Sequence, residues 1–125
     1  MKTLIKECEI SAPRARVFEA LTEPMSILQW TGDEAVMENE AGGFFSLWSG
    51  SIHGKNLEVT PSKIVQDWKE KNWSNYSKVT LELSEENGIT LVRLIHEGIP
   101  KQSFSSLDEG WDKYYLGALK SYLES

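Results

Sequence analysis

Residues 102–125 read QSFSSLDEGWDKYYLGALKSYLES and contain the only long helical pattern in the chain. At about 100° per residue, one face of this segment is apolar and largely aromatic. The residues on that face are Leu107, Trp111, Tyr114, Tyr115, Ala118, Leu119 and Tyr122. The opposite face carries the charged residues Glu109, Asp112, Lys113, Lys120 and Glu124. We therefore expect a long amphipathic helix that packs against the rest of the protein through its aromatic face.

Two starting points fit this helix. Ser106–Glu109 has the spacing of a capping box, whereas a start near Ser103 would place Phe104 on the apolar stripe. Gly110 and Gly117 are seven residues apart in the sequence and lie on one flank. Glycine inside a helix costs about 1 kcal/mol relative to alanine. We interpret the two glycines as points where the helix approaches the sheet closely.

The sequence before this helix consists mainly of short alternating strands. Leu4–Ile10 predicts a first strand, and Pro13 opens the first of two short helices that end near Trp30. The later alternating segments are Asp33–Asn39, Gly43–Trp48, Ser51–Thr60, Lys63–Trp73, Tyr76–Glu85 and Gly88–Gly98. Asn87-Gly88 between the last two is a strong hairpin signal, because both residues tolerate positive φ.

This order of elements predicts an α+β fold. We expect a curved antiparallel sheet of about six to seven strands, with one face in water and the other covered by the C-terminal helix. The chain has 125 residues, which suits a single domain spanning 1–125. A domain of this length buries roughly two-thirds of the surface that its unfolded chain exposes, enough for a core without metal or disulfide bonds.

Charge and composition exclude several functional classes. The net charge is −6, from 19 acidic and 13 basic residues. This balance argues against binding to nucleic acid, which requires a basic patch, and against docking on an anionic membrane. Cys8 is the only cysteine, and the N-terminal residues lack the apolar run of a signal peptide. We therefore expect a cytoplasmic protein without a membrane span.

A set of residues spread along the chain is similar to a known family. In order, the set is Ala12-Pro13, Val17-Phe18, Ala20-Leu21-Thr22, Trp30-Thr31, Gly42-Gly43, Phe45, Gly50, Gly54, Pro61, Ile64-Val65, Trp68, Trp73, Thr90, Gly98-Ile99-Pro100, Gly110-Trp111 and Tyr114-Tyr115. From about Ser11 to Leu123, the chain resembles the C-terminal domain of the activator of the heat-shock protein 90 ATPase. That domain belongs to the SRPBCC or START-like helix-grip superfamily.

The resemblance implies a helix-grip fold with a cavity between the sheet and the C-terminal helix. It implies a non-enzymatic domain that binds a small hydrophobic ligand, without a cofactor. Because the eukaryotic activator resembles this chain only in its second half, co-chaperone function does not carry over automatically. A domain that contacts a heat-shock protein 90 homologue is therefore the second hypothesis. An enzyme of the cyclase or hydrolase type, as in distant relatives of this fold, is the third.

Inward-facing positions supply the candidate ligand-binding residues. They are Phe45, Leu47, Gln66, Trp68, Leu81, Val92, Leu94, His96, Trp111 and Tyr115. An aromatic stripe at helical spacing is more often packed core than cavity wall, and both can hold for different parts of one stripe. Gln66 and His96 require partners if they are buried, and they would orient a polar group of a ligand or hold a buried water.

Catalytic and metal sites have little support in the sequence. Cys8, His53 and His96 are far apart and form no recognisable metal-ligand cluster. His53 is interpreted as a surface or loop residue, and Cys8 as an inert buried thiol. No phosphate-binding glycine loop or nucleophile elbow is present. An enzyme would have to use His96, Gln66 and Tyr115 around a shared empty space.

Overall fold

The computed structural model describes all residues, 1–125. Seven strands form one curved antiparallel sheet in the order β1-β7-β6-β5-β4-β3-β2. The strands are β1 (Lys2–Ile10), β2 (Val36–Met37), β3 (Phe44–Leu47), β4 (Ile52–Thr60), β5 (Lys63–Glu70), β6 (Ser77–Glu86) and β7 (Ile89–Ile99). Each strand from β2 to β6 pairs with the next strand in the chain, and β1 pairs with β7. The segment 33–39, predicted as a strand, provides β2, which lies at one edge of the sheet.

Two groups of helices complete the fold. Between β1 and β2 lie α1 (Arg14–Thr22) and α2 (Pro24–Thr31), the predicted helical pair. After β7, a 3-10 turn over Lys101–Ser103 leads into a long C-terminal helix that has three parts. These parts are α3 (Phe104–Gly110), a π-helical segment (Trp111–Leu116) and α4 (Gly117–Glu124).

The β6–β7 hairpin forms as its sequence pattern predicts. Val79 and Leu81 lie opposite His96 and Leu94, and these side chains are buried on one face of the sheet. Asn87 and Gly88 in the connecting turn have φ values of 54° and 79°. Two successive residues with positive φ make the type of turn whose twist matches that of the strands.

The core lies between the inner face of the sheet and the helices. It is one cluster of 25 buried residues to which every helix contributes. From the C-terminal helix come Leu107, Trp111, Tyr115, Leu116, Leu119 and Leu123. From α1 and α2 come Val17, Ala20, Leu21, Ile27 and Trp30. The predicted α+β fold, a curved sheet closed by a C-terminal helix, is confirmed.

The capping-box interpretation of the C-terminal helix is wrong. The helix begins at Phe104, and its N-cap residue Ser103 makes no side-chain capping hydrogen bond. The backbone N–H of Phe104 donates to the carbonyl of Lys101 in the preceding 3-10 turn. Because that turn continues directly into the helix, Ser106 already lies inside it. The alternative start near Ser103 is the correct one.

The glycines of this helix do not mark a close approach to the sheet. A Cβ atom on Gly110 would meet nothing within 4 Å, whereas one on Gly117 would overlap the carbonyl oxygen of Asp112. Gly117 N–H donates to that same carbonyl, five residues earlier in the chain, and so closes the π-helical segment. Gly117 is therefore required by the backbone of the helix itself, and Gly110 needs another explanation.

The π-helical segment also changes which residues face the core. Trp111, Tyr115 and Leu116 are buried, but Tyr114 is 61% exposed although it was predicted on the apolar face. A wider turn rotates the residues that follow it relative to an ideal α-helix. Ala118 and Tyr122, also predicted there, are partly buried against the core.

Candidate functional site

A cleft of about 460 Å³ lies between the C-terminal helix and the β3–β5 part of the sheet. Five aromatic side chains line it, and we call it the aromatic cleft: Trp48, Trp68, Trp111, Tyr114 and Tyr115. Glu70 and Glu109 are the carboxylates in its lining, which contains no basic residue. Its volume is in the range of about 300–1,000 Å³ that is typical of small-molecule sites.

Gly110 explains part of this opening. The residue lines the aromatic cleft, and the direction in which its side chain would extend is empty. Its φ of −62° is ordinary for a helix, so the backbone does not require glycine here. The absence of a side chain at Gly110 therefore keeps the cleft wide rather than bringing the helix onto the sheet.

The aromatic rings form a continuous wall. Trp68 and Trp111 stack with centroids 5.8 Å apart and an interplanar angle of 25°. The Tyr115 ring lies between those of Trp111 and Trp48, with its centroid 4.3 Å from the Trp111 centroid and 6.2 Å from the Trp48 centroid. Trp30 supports this wall from behind, 4.9 Å from Tyr115. Contacts of this kind hold the rings in fixed orientations, since offset and edge-on pairs are favourable.

The π-helical segment supplies three of the five aromatic residues. Trp111, Tyr114 and Tyr115 all belong to it. Single π-helical turns within α-helices occur frequently at functional sites. Here the turn buries Trp111 and Tyr115 while leaving Tyr114 at the mouth of the cleft.

Trp48 reaches the cleft through a strained turn. Its φ is 50°, and Ser49 and Gly50 follow with φ values of 55° and 90°. A bulky residue held in the left-handed region costs about 1–3 kcal/mol, and such residues cluster at functional sites. The turn is closed by hydrogen bonds of 3.2 Å from Gly50 N–H to Leu47 and from Ser51 N–H to Trp48. This geometry places the Trp48 ring beside Tyr115.

Trp68 carries the one buried side-chain polar atom without a hydrogen-bond partner, its indole Nε1. The side chain is only 2% exposed and lines the aromatic cleft. The indole N–H groups of Trp30, Trp73 and Trp111 all donate to protein acceptors, at 2.8, 3.2 and 3.0 Å. Buried polar groups are normally paired, and this nitrogen is an exception that is itself enclosed by protein atoms.

Glu70 is the partly buried carboxylate of the cleft. It follows Trp68 by two residues on β5 and so lies on the same face of the strand. Burial alone raises the pKa of this carboxyl above its ordinary value of 4.5. Glu109, by contrast, is an exposed residue that pairs with Lys113 at 3.7 Å. Of the two carboxylates, Glu70 is the one whose charge no cation of the chain neutralises.

His96 is part of a closed hydrogen-bond network next to the cleft. Ser77 Oγ donates its single proton to the carbonyl of Trp68 at 2.6 Å, so His96 Nε2 must carry the proton in its 2.8 Å bond to Ser77. Trp111 Nε1 donates to His96 Nδ1 at 3.0 Å. Burial lowers the pKa of His96 to about 3. Both ring nitrogens are thus occupied, and the ring is neutral.

Gln66 also finds its partner inside the protein. Its amide Nε2 donates to Asn56 Oδ1 at 2.9 Å, and Asn56 Nδ2 donates to the carbonyl of Glu38 at 2.7 Å. In the sheet, Val79 separates Gln66 from His96. Gln66 and His96 therefore do not converge on the cleft, and only Tyr115 of the three residues suggested for catalysis lines it.

The structure brings together some of the predicted ligand-binding residues. Trp68, Trp111 and Tyr115 line the aromatic cleft. The others are buried in the core and lie outside the cleft lining: Phe45, Leu47, Gln66, Leu81, Val92, Leu94 and His96. Trp48, Ile52, Glu70 and Glu109 line the cleft but were not among the predicted site residues. The sequence signal that could have identified Trp48 is Gly50, because a glycine shortly after a strand marks a turn.

The remaining reactive residues lie apart from the cleft. His53 lies in strand β4 and is partly buried, so it is not the surface or loop residue that the sequence suggested. Its ring makes an edge contact with the Tyr76 ring, with centroids 5.9 Å apart. Burial raises the pKa of the partly buried Cys8 thiol. No group of three or more His, Cys, Asp or Glu side chains is arranged to hold a metal ion. None of the helices has both the length and the apolar character needed to cross a membrane.

Comparison with known proteins places the chain in a family. The model of the family described as "Activator of Hsp90 ATPase homolog 1-like protein" matches residues 11–124. The chain belongs to this activator-homologue family. An activator of 90 kDa heat shock protein ATPase homolog from Dictyostelium discoideum is 35% identical over 123 residues, covering 95% of this chain and 32% of the relative. The activator homolog 1 from Homo sapiens is 27% identical over 122 residues, which cover 95% of this chain and 36% of that relative.

Solved structures agree with the activator-homologue assignment. The crystal structure of an HSP90 activator from Plasmodium falciparum has a TM-score of 0.90 and 31% identity, covering 98% of this chain and 96% of that chain. A protein from Mesorhizobium loti shares the fold, with a TM-score of 0.85 at 22% identity and coverages of 98% and 96%. The chain spans about a third of the length of the curated relatives it matches.

Proposed function

We propose that residues 1–125 act as one cytoplasmic, non-enzymatic binding domain that holds a small hydrophobic ligand in the aromatic cleft. The size and lining of the cleft carry this proposal, because about 460 Å³ of space lies against five aromatic side chains. A ligand whose apolar body fills that space would remove this aromatic surface from water. Apolar pockets of this kind, with a few polar groups, are typical of small-molecule sites.

The chemistry of the cleft supports binding rather than catalysis. A general base needs a titratable group within hydrogen-bond reach of the substrate and a pKa near the working pH. His96 uses both ring nitrogens in protein hydrogen bonds and lies outside the cleft lining. Burial raises the pKa of Tyr115 further above its ordinary value, which disfavours a phenolate. Glu70 remains, and a lone carboxylate among aromatic rings is suited to holding a ligand.

A ligand screen tests the proposal directly. The purified chain is heated with a panel of fatty acids, neutral lipids, aromatic amides and alkylammonium salts, and the melting temperature is recorded for each. A ligand at about 100 times its Kd stabilises the folded state by about 2.7 kcal/mol, which gives a clear shift. Mass spectrometry under native conditions shows in addition whether a ligand copurifies.

Two variants at Gly110 provide a matched control for the site. Gly110→Leu extends a side chain into the empty space of the cleft, whereas Gly110→Ala adds a single methyl group. We expect the leucine variant to fold and lose ligand binding, and the alanine variant to retain it. A panel without any hit, or hits that bind the leucine variant equally well, would contradict the proposal.

We propose contact with a heat-shock protein 90-type chaperone as a second function. The support is membership in the activator-homologue family and the names of the relatives. The immobilised chain is incubated with the chaperone homologue from the same organism, and the chaperone's ATPase rate is measured with and without it. Retention with a changed rate supports this function. If the chaperone is not retained and its ATPase rate does not change, this function is rejected.

A further inference from the structure

The aromatic cleft combines aromatic faces and carboxylates without a basic side chain. Its lining includes Trp48, Trp111 and Tyr114 together with Glu70 and Glu109. Aromatic rings attract cations through the negative potential of their faces, and tryptophan does so most strongly. Quaternary and protonated amines are the ligands that several rings with a nearby carboxylate recognise in proteins. The electrostatic potential of the cleft therefore favours a positively charged ligand.

We infer that the ligand of the aromatic cleft is an organic cation, with an alkylammonium or quaternary ammonium group attached to an apolar body. This inference rests on the proposed ligand-binding function and specifies the class of ligand. The ammonium group lies near Glu70 and the rings, and the apolar body occupies the space beside Gly110.

Glu70 is the residue that most favours this ligand class. Its carboxylate is partly buried beside Trp68, and the chain's six ion pairs do not include it. A buried charge without a partner is unfavourable, so most such groups are paired or neutralised. A ligand cation supplies the partner that the chain lacks.

No lysine next to Glu70 in the sequence or at the rim of the cleft forms an ion pair with it. Lys71, the next residue, is exposed and belongs to none of the chain's ion pairs. Lys69 lies on the opposite face of β5, where its Nζ donates to the carbonyl of Trp73 and lies 5.6 Å from the centre of the Tyr76 ring. Lys113, on the C-terminal helix, pairs with Glu109 at the rim. The inner part of the cleft is thus left with an unneutralised carboxylate.

Two probes of the same size and shape isolate the effect of the positive charge on binding. Choline and 3,3-dimethylbutan-1-ol differ in that a positively charged nitrogen replaces a neutral carbon. Binding is followed by the NMR shifts of the tryptophan indole N–H groups, with sodium chloride added to equalise ionic strength. We expect choline to bind about tenfold more tightly than the neutral alcohol.

Charge variants test the role of Glu70. Glu70→Gln should weaken choline binding about tenfold and leave binding of the neutral alcohol unchanged. Glu86→Gln removes the same charge from an exposed position at the end of β6 and is the control for net charge. We expect the control to bind choline as the unmodified chain does.

The outcomes distinguish this inference from the proposed function. Equal affinity for choline and the alcohol, or choline binding unaffected by Glu70→Gln, would overturn the cation inference. If neutral compounds of the ligand panel bind in the cleft and choline does not, the binding function stands and the inference is overturned. If nothing binds, or if Gly110→Leu binds choline undiminished, both are overturned.

Discussion

Nε1 of Trp111 donates a 3.0 Å hydrogen bond to Nδ1 of His96. This bond joins the π-helical segment of the C-terminal helix to β7, and both side chains are buried. The other nitrogen of His96 continues through Ser77 to the backbone of Trp68. The ring of Trp111 and the backbone of Trp68 are therefore joined by one buried polar network. Such a network fixes geometry because each of its groups would be unfavourable if left unpaired.

Trp111→Phe removes the donor of this bond and keeps most of the ring. His96 Nδ1 is then a buried acceptor without a partner, so we expect a loss of about 1–3 kcal/mol in the free energy of unfolding. Trp111→Ala also leaves a cavity and should lose about 3–5 kcal/mol. Urea denaturation measures both values. Tyr114→Phe, at an exposed position, is the control, and a Trp111→Phe value no larger than the control's would show that the bond contributes little.

The buried His96 makes the folded state sensitive to acid. Burial lowers the pKa of its ring from the ordinary 6.5 to about 3. Between these values the unfolded chain binds a proton that the folded chain does not, so acidification favours unfolding. Protonation of His96 does not change the free energy of unfolding above pH 6.5. Below pH 6.5, it lowers that free energy by about 1.4 kcal/mol for each pH unit.

Two measurements check this pH dependence. Denaturation from about pH 8 to pH 4 should show the loss in the unmodified chain and a smaller slope in His96→Gln. NMR of the imidazole nitrogens should show one neutral tautomer, protonated at Nε2, throughout the range in which the protein stays folded. A ring that titrates near pH 6 in the folded protein would refute the network as described.

The strands could be predicted because their side chains alternate. Leu81 and Leu94 follow a period of two, and Asn87-Gly88 specifies its own turn. These signals are local, so the sequence alone predicts where the strands lie along the chain and which of their side chains face inward. The same reasoning identifies His96 and Gln66 as inward. It cannot show that each is already satisfied by partners, because Trp111 and Asn56 reach them only through the folded arrangement.

The cleft could be predicted only in part, for two physical reasons. The π-helical segment changes the helical period at Trp111, so a constant angle of about 100° per residue places Tyr114 on the wrong face. Trp48 enters the cleft from a turn with positive φ, which has no periodicity to read. A glycine in a helix has the same letter whether it avoids a clash, as Gly117 does, or leaves a space, as Gly110 does.

The two helix glycines should respond in opposite ways to alanine. Gly110→Ala adds a methyl group in open space and favours the helix, so we expect a gain of up to about 1 kcal/mol in stability. Gly117→Ala places a Cβ against the carbonyl oxygen of Asp112 and should lose about 1–3 kcal/mol. Thermal and urea unfolding of both variants checks this matched pair, and effects of the same sign would contradict the different roles assigned to them.

Removing the charge of Glu70 should stabilise the chain in the absence of ligand. Burial raises the pKa of this carboxyl above 4.5, so the folded state holds its proton to a higher pH than the unfolded state. Stability is therefore lost as the pH rises through the interval between the unfolded and folded pKa values, and the loss is complete once the pH exceeds the folded pKa. Glu70→Gln does not titrate and avoids that loss.

We expect Glu70→Gln to be more stable than the unmodified chain at about pH 7. This difference should shrink as the pH falls from the folded pKa of Glu70 towards 4.5, and it should disappear below 4.5. Urea denaturation at a series of pH values measures it, with Glu86→Gln as the exposed control that should show a smaller change. Bound choline should reduce the advantage of the variant, because it neutralises the carboxylate only in the unmodified chain. A difference that is independent of pH would show that burial of the Glu70 charge is not its cause.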